Sequence, residues 1–285
     1  MSSITEVVIG ELTPHPIRIG PGQPLAWIAG PCVIEEQRTM ALTAERLKKL
    51  SEKLQVPIVF KSSYEKDNRS SEKHYSGPGL EEGLELLAWI KQEFELPVLS
   101  DVHRVEDVPA AREVLDVIQV PAFLCQQTSL LLAVGRTGKV VNVKKGQFLA
   151  PEGMAGAVGK LESTGNRRIL LTERGTSFGY NQLVADMTSL PVMQNLGYPV
   201  VFDAGHQVRR YGIPSADPQG GTPEFIPLLL RAGIAAGANM VFLETHPNPP
   251  EALCDAASQY PLDRLEDLMT EARELAELVR AQGHA

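Results

Sequence analysis

The sequence predicts an α/β fold in which eight parallel strands alternate with eight helices and close into a barrel, the (β/α)8 or TIM barrel. Eight short apolar runs alternate with helical patterns along the chain. The runs are continuously apolar, as is typical of parallel strands buried on both faces. A length of 285 residues suits one such barrel, which takes about 250 residues. We therefore expect a single domain over residues 1–285.

The chain before the repeating units, residues 1–24, predicts a short N-terminal hairpin or arm, because proline and glycine punctuate two alternating pieces. The eight strands are expected at 25–29, 56–60, 97–101, 116–120, 139–144, 168–174, 199–203 and 239–244. The eight helices are expected at 42–54, 80–94, 105–115, 129–135, 154–161, 181–193, 223–236 and 262–281. A doubly wound open sheet is the alternative, but no G-x-G-x-x-G motif follows a strand.

Composition and charge narrow the class of protein. A net charge of −8 argues against a nucleic-acid surface, which would be basic. The three cysteines are widely spaced and odd in number, which argues against a disulfide framework and favours the reducing cytoplasm. The chain starts without a signal segment or a long apolar run, so we expect neither export nor membrane insertion.

The segment 61–71, KSSYEKDNRSS, follows the second predicted strand and concentrates positive charge. Lys61, Lys66 and Arg69 stand within nine positions, among serines and an asparagine. Arg and Lys side chains bind phosphate oxygens by charge-assisted hydrogen bonds. The segment therefore indicates a site for a phosphorylated, hydroxyl-rich small molecule, with a solvated charged loop as the alternative.

Polar or ionisable residues follow all eight strands, where barrels of this type form their active sites. They are Cys32, Lys61, Asp101, Gln119, Lys144 with Lys145, Glu173 with Arg174, Asp203 with His206, and Glu244 with His246. Scattered surface charges would have no reason to recur at equivalent positions, so the pattern predicts an enzyme. The cations Lys61, Lys66, Arg69, Lys144 and Arg174 are numerous enough for two phosphates.

Four of the residues in these loops have metal-binding chemistry. Cys32, His206, Glu244 and Asp255 offer one soft and three harder ligands, a set that suits Zn²⁺, Fe²⁺ or Mn²⁺. Cys32 as a small buried apolar residue, His206 as a loop histidine and Asp255 as a helix cap are the alternatives. No closely spaced CxxC or HExxH motif decides between the two interpretations.

Eight longer segments carry a resemblance to a known family. They are AGPC at 29–32, KSSYEKDNRSS at 61–71, GPGLEEG at 77–83, QVPAFLC at 119–125, NVKKGQFLAP at 142–151, LTERGTSFGYNQLVADM at 171–187, FDAGH at 202–206 and ETHPNP at 244–249. From residue 25 onward the chain resembles the 3-deoxy-D-manno-octulosonate 8-phosphate synthases. This resemblance implies a homotetrameric TIM-barrel transferase of lipopolysaccharide biosynthesis, which condenses phosphoenolpyruvate with D-arabinose 5-phosphate and water and releases phosphate.

The resemblance also implies residue roles. We expect Lys61, Lys66, Asn68, His206 and Asp255 to be catalytic, and Arg69, Ser70, Asp101, Gln119, Lys144 and Arg174 to bind substrate. Within that set, Lys144 and Arg174 match the clamp on the phosphate of phosphoenolpyruvate, while Asn68, Arg69 and Ser70 match the loop that holds arabinose 5-phosphate. Family members with Cys after Gly-Pro depend on a metal. Cys32, His206, Glu244 and Asp255 match the ligand positions and imply a divalent Zn, Fe or Mn ion.

Two residues depart from the family pattern. Asp67 stands where the family usually has Ala, and Gln126 stands where an Arg usually reaches the sugar phosphate across a subunit interface. Both changes oppose the binding of a sugar phosphate. One alternative is therefore a 3-deoxy-D-arabino-heptulosonate 7-phosphate synthase using erythrose 4-phosphate, although that family carries a KPRT-type motif in this loop. A non-catalytic sugar-phosphate-binding barrel is another.

Overall fold

The computed structural model describes residues 4–10, 15–69, 71–178 and 181–282, and there it confirms the predicted barrel. An antiparallel hairpin of β1 (Val7–Ile9) and β2 (Ile17–Ile19) precedes it. The barrel strands are β3 (Ala26–Gly30), β4 (Ile58–Lys61), β5 (Val98–Asp101), β6 (Val117–Val120), β7 (Val140–Lys144), β8 (Ile169–Glu173), β11 (Val200–Asp203) and β12 (Met240–His246). Three two-residue strands are β9 (Thr176–Ser177), β10 (Leu183–Val184) and β13 (Tyr260–Pro261).

Helices on the outside of the barrel connect its strands. They are α1 (Gln37–Leu54), α2 (Leu80–Phe94), α3 (Val108–Val114), α4 (Thr128–Arg136), α5 (Ala155–Glu162), α6 (Ser189–Gln194), α7 (Ile226–Ala235) and α8 (Leu265–Ala281). Their apolar faces pack on the outward side chains of the strands and form the largest of the buried clusters. Within the described ranges, no helix combines the length and the apolar character needed to cross a bilayer.

The barrel closes because its first and last strands pair. Neighbouring strands from β3 to β8 are parallel, β8 pairs with β11, β11 with β12, and β12 returns to β3. All eight strands therefore end on the same side. The residues that follow them meet around one opening, as the sequence pattern predicted.

The helix predicted over 181–193 is wrong for its first half. Leu183–Val184 instead pairs in antiparallel fashion with Thr176–Ser177. The helix α6 begins only at Ser189, because Asp186 intervenes: its Oδ1 atom accepts hydrogen bonds from the backbone N–H and the hydroxyl of Thr188, at 2.9 and 2.6 Å. Asparagine 181 also adopts a left-handed backbone conformation (φ 55°), which a helix excludes.

Inward side chains change chemistry midway along each strand. At the start of the strands they are apolar and form one cluster with the four buried apolar residues of the β1–β2 hairpin, which closes that end of the barrel. Two residues further along, β6, β7 and β8 turn Gln119, Asn142 and Thr172 inward, all buried. Since inward positions recur every second residue, the strands carry an apolar layer below and a polar layer above.

Candidate active site

The polar layer forms a continuous chain of hydrogen bonds across four neighbouring strands. The Gln119 amide donates to Asp101 Oδ1. Asn142 Nδ2 donates to Gln119 Oε1 at 2.8 Å, and Thr172 Oγ1 donates to Asn142 Oδ1 at 2.6 Å. These buried groups satisfy one another, which fixes their rotamers and gives the cavity above them a rigid floor.

Asp101 also anchors the start of the cationic loop. Its Oδ2 atom accepts a hydrogen bond from Ser63 Oγ at 2.6 Å and one from Lys66 Nζ at 3.2 Å. Burial alone would lower the pKa of Lys66, but Cys32, Asp101 and Glu244 lie close enough to raise it well above its usual value. Lys66 is therefore a buried, permanently charged group at the floor of the site.

Lys61 and Glu244 form an ion pair sealed inside the barrel, with only 1% of each side chain exposed. Lys61 Nζ also donates to the carbonyl oxygen of Cys32 at 2.6 Å. Burial raises the pKa of Glu244, but the charges of Lys61 and His206 outweigh it and lower the pKa below its ordinary value. Glu244 is consequently an ionised carboxylate, and its Oε2 atom has no hydrogen-bond partner among the described residues.

A second buried group joins Lys144, Asp203 and His206. Lys144 Nζ lies 2.6 Å from Asp203 Oδ2 and 3.7 Å from the centroid of the Phe242 ring. His206 Nδ1 lies 2.9 Å from the same carboxylate oxygen. Burial lowers the pKa of Lys144 despite Asp203. Because Nδ1 is engaged by a carboxylate, Nε2 of His206 is the ring nitrogen directed at other ligands.

These groups border one cavity of about 330 Å³ at the C-terminal ends of the strands. Its lysine, arginine and carboxylate lining is mostly basic: Lys66, Arg69, Lys144, Arg174 and Arg209, against Asp101, Glu244 and Asp255. The Nε atoms of Arg69 and Arg174 are buried without a hydrogen-bond partner in the described part of the chain. Unpaired guanidinium donors in a basic cavity can bind an anionic ligand.

The segment 211–215 borders the same cavity and contacts both arginines. Arg174 donates to the Tyr211 hydroxyl at 3.0 Å, and Arg69 donates to Ser215 Oγ at 2.5 Å. Arg69 also lies 2.8 Å from Cys254 Sγ. The two guanidinium groups are thus held in position from opposite ends of one segment.

Three of the four predicted metal ligands lie close enough together to hold one divalent ion, and the fourth, Cys32, belongs to a second group that shares Asp255 with them. His206, Glu244 and Asp255 have ligand atoms within 4.8 Å of one another, and Cys32 Sγ lies 3.3 Å from Asp255 Oδ2. His206 Nε2 is 3.5 Å from Asp255 Oδ2 and 3.9 Å from Glu244 Oε2. Ligands of a tetrahedral ion, at about 2.0–2.3 Å from the metal, are separated by similar distances.

The orphan oxygen of Glu244 and the Asp203–His206 contact support the same fit. A metal ion would give Glu244 Oε2 a partner. Histidine ligands of metals usually donate their other ring N–H to a carboxylate, as the contact of His206 Nδ1 with Asp203 allows. Burial raises the pKa of Asp255, but the His206 hydrogen bond and the neighbouring cations hold it well below its usual value. The two carboxylates of the donor set are therefore anionic and suited to a cation.

The structure places most of the predicted site residues around this cavity. Lys66, Asn68, Arg69, Asp101, Gln119, Lys144, Arg174, His206, Glu244 and Asp255 line it. Lys61 lies beneath it, against Glu244, and Cys32 lies behind Asp255. Ser70 lies outside the described residues. The other strand-end residues His246, Lys145 and Glu173 are directed elsewhere. His246 Nε2 lies 3.2 Å from Glu35 Oε2, and Lys145 Nζ lies 3.5 Å from Glu173 Oε2, with both partners of the second pair buried.

Four ionisable residues that line the cavity were missed from the sequence. His103, Arg209, Tyr211 and Cys254 line the cavity. His103 sits two residues after Asp101, so its strand-end position was a usable signal; burial lowers its pKa and keeps it neutral. The other three lie in irregular loops that no periodicity locates.

Asp67, one of the two departures, lies beside a cation of the same chain. Arg104 forms a bidentate pair with Glu65 at 2.6 and 2.7 Å and reaches Asp67 Oδ2 at 3.2 Å. The added anion thus has a cation within the same chain. Gln126 is exposed, and its backbone oxygen accepts a hydrogen bond from Lys160 at 2.8 Å.

A closed barrel with a basic cavity and a cluster of metal-type ligands defines the class of protein, and comparison with known families agrees. The family model described as "DAHP synthetase I family" matches residues 6–281, and the chain belongs to this family. Its relatives include 2-dehydro-3-deoxyphosphooctonate aldolases. That of Protochlamydia amoebophila is 51% identical over 265 residues, covering 93% of this chain and 96% of the relative.

Two further relatives carry the same name. The protein of Geobacter metallireducens is 50% identical over 275 residues, covering 96% of this chain and 99% of the relative. The protein of Syntrophotalea carbinolica is 52% identical over 264 residues, covering 93% and 95%. The family resemblance predicted from the eight motifs is confirmed.

Proposed function

We propose that this chain is a 3-deoxy-8-phosphooctulonate synthase, which condenses phosphoenolpyruvate with D-arabinose 5-phosphate and water to give 3-deoxy-D-manno-octulosonate 8-phosphate and phosphate. The relatives named above support the reaction. The structural observation that carries the assignment is the basic cavity with two unpaired guanidinium Nε atoms, those of Arg69 and Arg174. Two phosphorylated substrates require two such anion-binding groups.

Each arginine has neighbours that suit one of the substrates. Arg174 lines the cavity with Lys144 and is assigned to the phosphate of phosphoenolpyruvate. Arg69 lies at the end of the cationic loop with Asn68 and is assigned to the phosphate of the sugar. Fixing both phosphates holds C3 of the enol close to the C1 aldehyde, which converts a bimolecular step into an intramolecular one.

The chemistry then follows from the charges on the floor of the cavity. C3 of phosphoenolpyruvate attacks the aldehyde carbon, water adds at C2, and the hemiketal phosphate loses phosphate by C–O cleavage. We assign Lys66 to the negative charge that develops during attack, because it stays protonated and is fixed by Asp101 at 3.2 Å. Lys144 and Arg174 balance the charge of the departing phosphate.

Cys32, His206, Glu244 and Asp255 are proposed to hold a divalent Zn, Fe or Mn ion. The ion, when bound, supplies Lewis-acid polarisation and orientation of the aldehyde and water without redox chemistry. The support lies in the donor distances and in the unpaired Oε2 atom of Glu244. Asp203 orients His206, and Lys61 holds Glu244 in place.

Other features of the family resemblance remain proposals for this chain. They are a single domain over residues 1–285, assembly into a homotetramer in which Gln126 faces a neighbouring subunit, and a cytoplasmic location. The three cysteines are all buried and unpaired as disulfides, which supports a reducing compartment.

The decisive experiment measures phosphate release from phosphoenolpyruvate with arabinose 5-phosphate, beside erythrose 4-phosphate, before and after chelation. We expect turnover with the five-carbon sugar that chelation abolishes and Zn²⁺ or Mn²⁺ restores. Preference for erythrose 4-phosphate would assign the chain to the heptulosonate branch of the family. Ligand binding without turnover would indicate a non-catalytic barrel, and turnover that survives chelation would remove the metal.

A further inference from the structure

The second buried cysteine beside the metal ligands has no role in the function proposed above. Cys254 Sγ belongs to a group with Cys32 Sγ and a carboxylate oxygen of Asp255, whose ligand atoms all lie within 4.8 Å of one another. Cys254 is 1% exposed and Cys32 is fully buried. Asp255 is also a member of the group with His206 and Glu244, so the two groups share one carboxylate.

The backbone conformation at Asp255 brings the side chains of Cys254 and Asp255 to the same side, next to Cys32. Adjacent residues in an extended chain direct their side chains to opposite sides. Asp255 instead adopts a left-handed conformation, with φ 51° and ψ 35°, so Cys254 and Asp255 both turn their donor atoms toward Cys32. Non-glycine residues hold such a conformation at a cost, which indicates that the surroundings enforce it.

One buried side chain links the two cysteine segments. The Gln259 amide accepts a hydrogen bond from the Cys32 backbone N–H at 3.3 Å and donates one to the Cys254 carbonyl oxygen at 2.9 Å. Gln259 is itself 1% exposed. Gln259 thus forms a hydrogen-bonding bridge between two segments that lie far apart in the sequence, and this bridge holds the two cysteines close together.

A pair of sulfur donors has a definite chemical preference. Thiolates favour thiophilic ions such as Zn²⁺ and Cd²⁺, whereas carboxylates and water favour Mn²⁺ and Mg²⁺. The Arg69 guanidinium, 2.8 Å from Cys254 Sγ, can donate a hydrogen bond to a metal-bound sulfur, as groups behind ligands commonly do. Glu244 offers the centre its Oε2 atom alone, because its Oε1 atom is paired with Lys61.

We propose that Cys254 is a second sulfur ligand of the metal centre, so that the Cys32–Cys254 pair makes this site select a thiophilic divalent ion over Mn²⁺. The proposal rests on the metal centre of the proposed function. It adds a ligand and a selectivity to that centre.

The test counts sulfur ligands directly. The wild-type chain is loaded with Zn²⁺ and its X-ray absorption fine structure is measured, with two sulfur neighbours expected at about 2.3 Å. In a second experiment the chain is loaded with Co²⁺, and the near-ultraviolet sulfur-to-cobalt absorption per bound ion is compared with that of Cys254→Ser. We expect about twice the absorption in the wild type, because each thiolate ligand contributes its own transition.

Variants at the other cysteines provide matched controls. Cys32→Ser should lose the same share of the absorption as Cys254→Ser, while Cys125→Ser, which lies outside both ligand groups, should match the wild type. Cys254→Ser should also weaken Zn²⁺ binding by about tenfold or more, the lower limit seen even for residues that only support ligands. Its Mn²⁺ affinity should stay close to that of the wild type.

The outcomes separate the two proposals. One sulfur neighbour in the zinc protein, with an unchanged cobalt spectrum in Cys254→Ser, would refute the second sulfur and leave the four-residue centre intact. A wild-type chain that binds neither zinc nor cobalt would overturn both. The X-ray measurement uses the unaltered protein, so it decides the question even if a cysteine variant does not fold.

Discussion

The two ends of the barrel use the same strands for opposite purposes. At the start of the strands, inward residues are apolar and pack against Val7, Ile9, Ile17 and Ile19 of the hairpin. At the other end, the inward positions of the same strands carry the Asp101–Gln119–Asn142–Thr172 hydrogen-bond chain and the buried cations. Stability and chemistry are therefore separated by about two residues along each strand. Changes at one end should affect folding, and changes at the other should affect turnover.

Lys61 is the strongest test of this separation, because it lies at the charged end and yet is sealed in the interior. Lys61→Met should lower the free energy of unfolding of the chelated protein by about 3–5 kcal/mol, since it leaves Glu244 buried and unpaired. Urea unfolding in the presence of a chelator measures this. The double variant Lys61→Met/Glu244→Leu should recover most of the stability and remain inactive. A double variant as unstable as the single would contradict the ion-pair explanation.

Arg174 should show the opposite behaviour, with a large kinetic effect and a small effect on stability. No described carboxylate pairs with its guanidinium group, which contacts the Tyr211 hydroxyl at 3.0 Å. Arg174→Met should reduce kcat/KM about 10²–10³-fold, the usual loss for one charge-stabilising donor. Steady-state kinetics and thermal unfolding of the same samples check both parts. The control, Arg112→Met on the exposed face of α3, should change neither kcat/KM nor the melting temperature. A large loss of stability in Arg174→Met would contradict the separation of stability and chemistry between the two ends of the barrel.

Ile19 tests the apolar end. It is fully buried in the hairpin, and Ile19→Ala should lower the free energy of unfolding by about 2 kcal/mol or more through lost burial and a cavity. Turnover measured well below the melting temperature should stay near that of the wild type. Arg18→Ala, on the exposed side of the same strand, serves as the control and should leave both stability and turnover unaffected. If Ile19→Ala instead lowered kcat in fully folded protein, the hairpin would be coupled to the site.

The smallest effect is expected where the cationic loop departs from the family pattern. Asp67→Ala should change the KM for arabinose 5-phosphate by less than about fivefold, because this exposed carboxylate lies 3.2 Å from Arg104 and exposed pairs contribute at most about 1 kcal/mol. Arg104→Gln should raise that KM more, since it frees Glu65 and Asp67 beside the acceptor site. Equal KM values for Arg104→Gln and the wild type would argue against compensation.

The sequence was sufficient for the barrel and for most of the cavity lining, because both follow from repetition. The apolar runs predict the strands, and the residue just after each strand must lie at their common end. Helix α2 has the predicted bounds, 80–94. The segment 181–193 failed because its apolar spacing suits a helix, while Asp186 and the left-handed Asn181 decide its true structure.

The remaining site residues depend on loop geometry that spacing does not record. Arg209 and Tyr211 reach the cavity from an irregular segment. Cys254 meets Cys32 only because Asp255 turns the chain and Gln259 links both segments. The pairing of Asp67 with Arg104 joins residues 37 positions apart, so the departure from the family could not be judged from the loop alone.

The hydrogen-bond chain beneath the cavity also bears on how the barrel assembles. Parallel strands can slip past one another, and a shift of one residue turns every inward side chain outward. In such a slipped barrel Gln119 and Asn142 would lose each other and leave buried amides unsatisfied. The side-chain hydrogen bonds that link β5 to β8 thus favour one strand register, and only a barrel with that register can form the polar floor of the cavity.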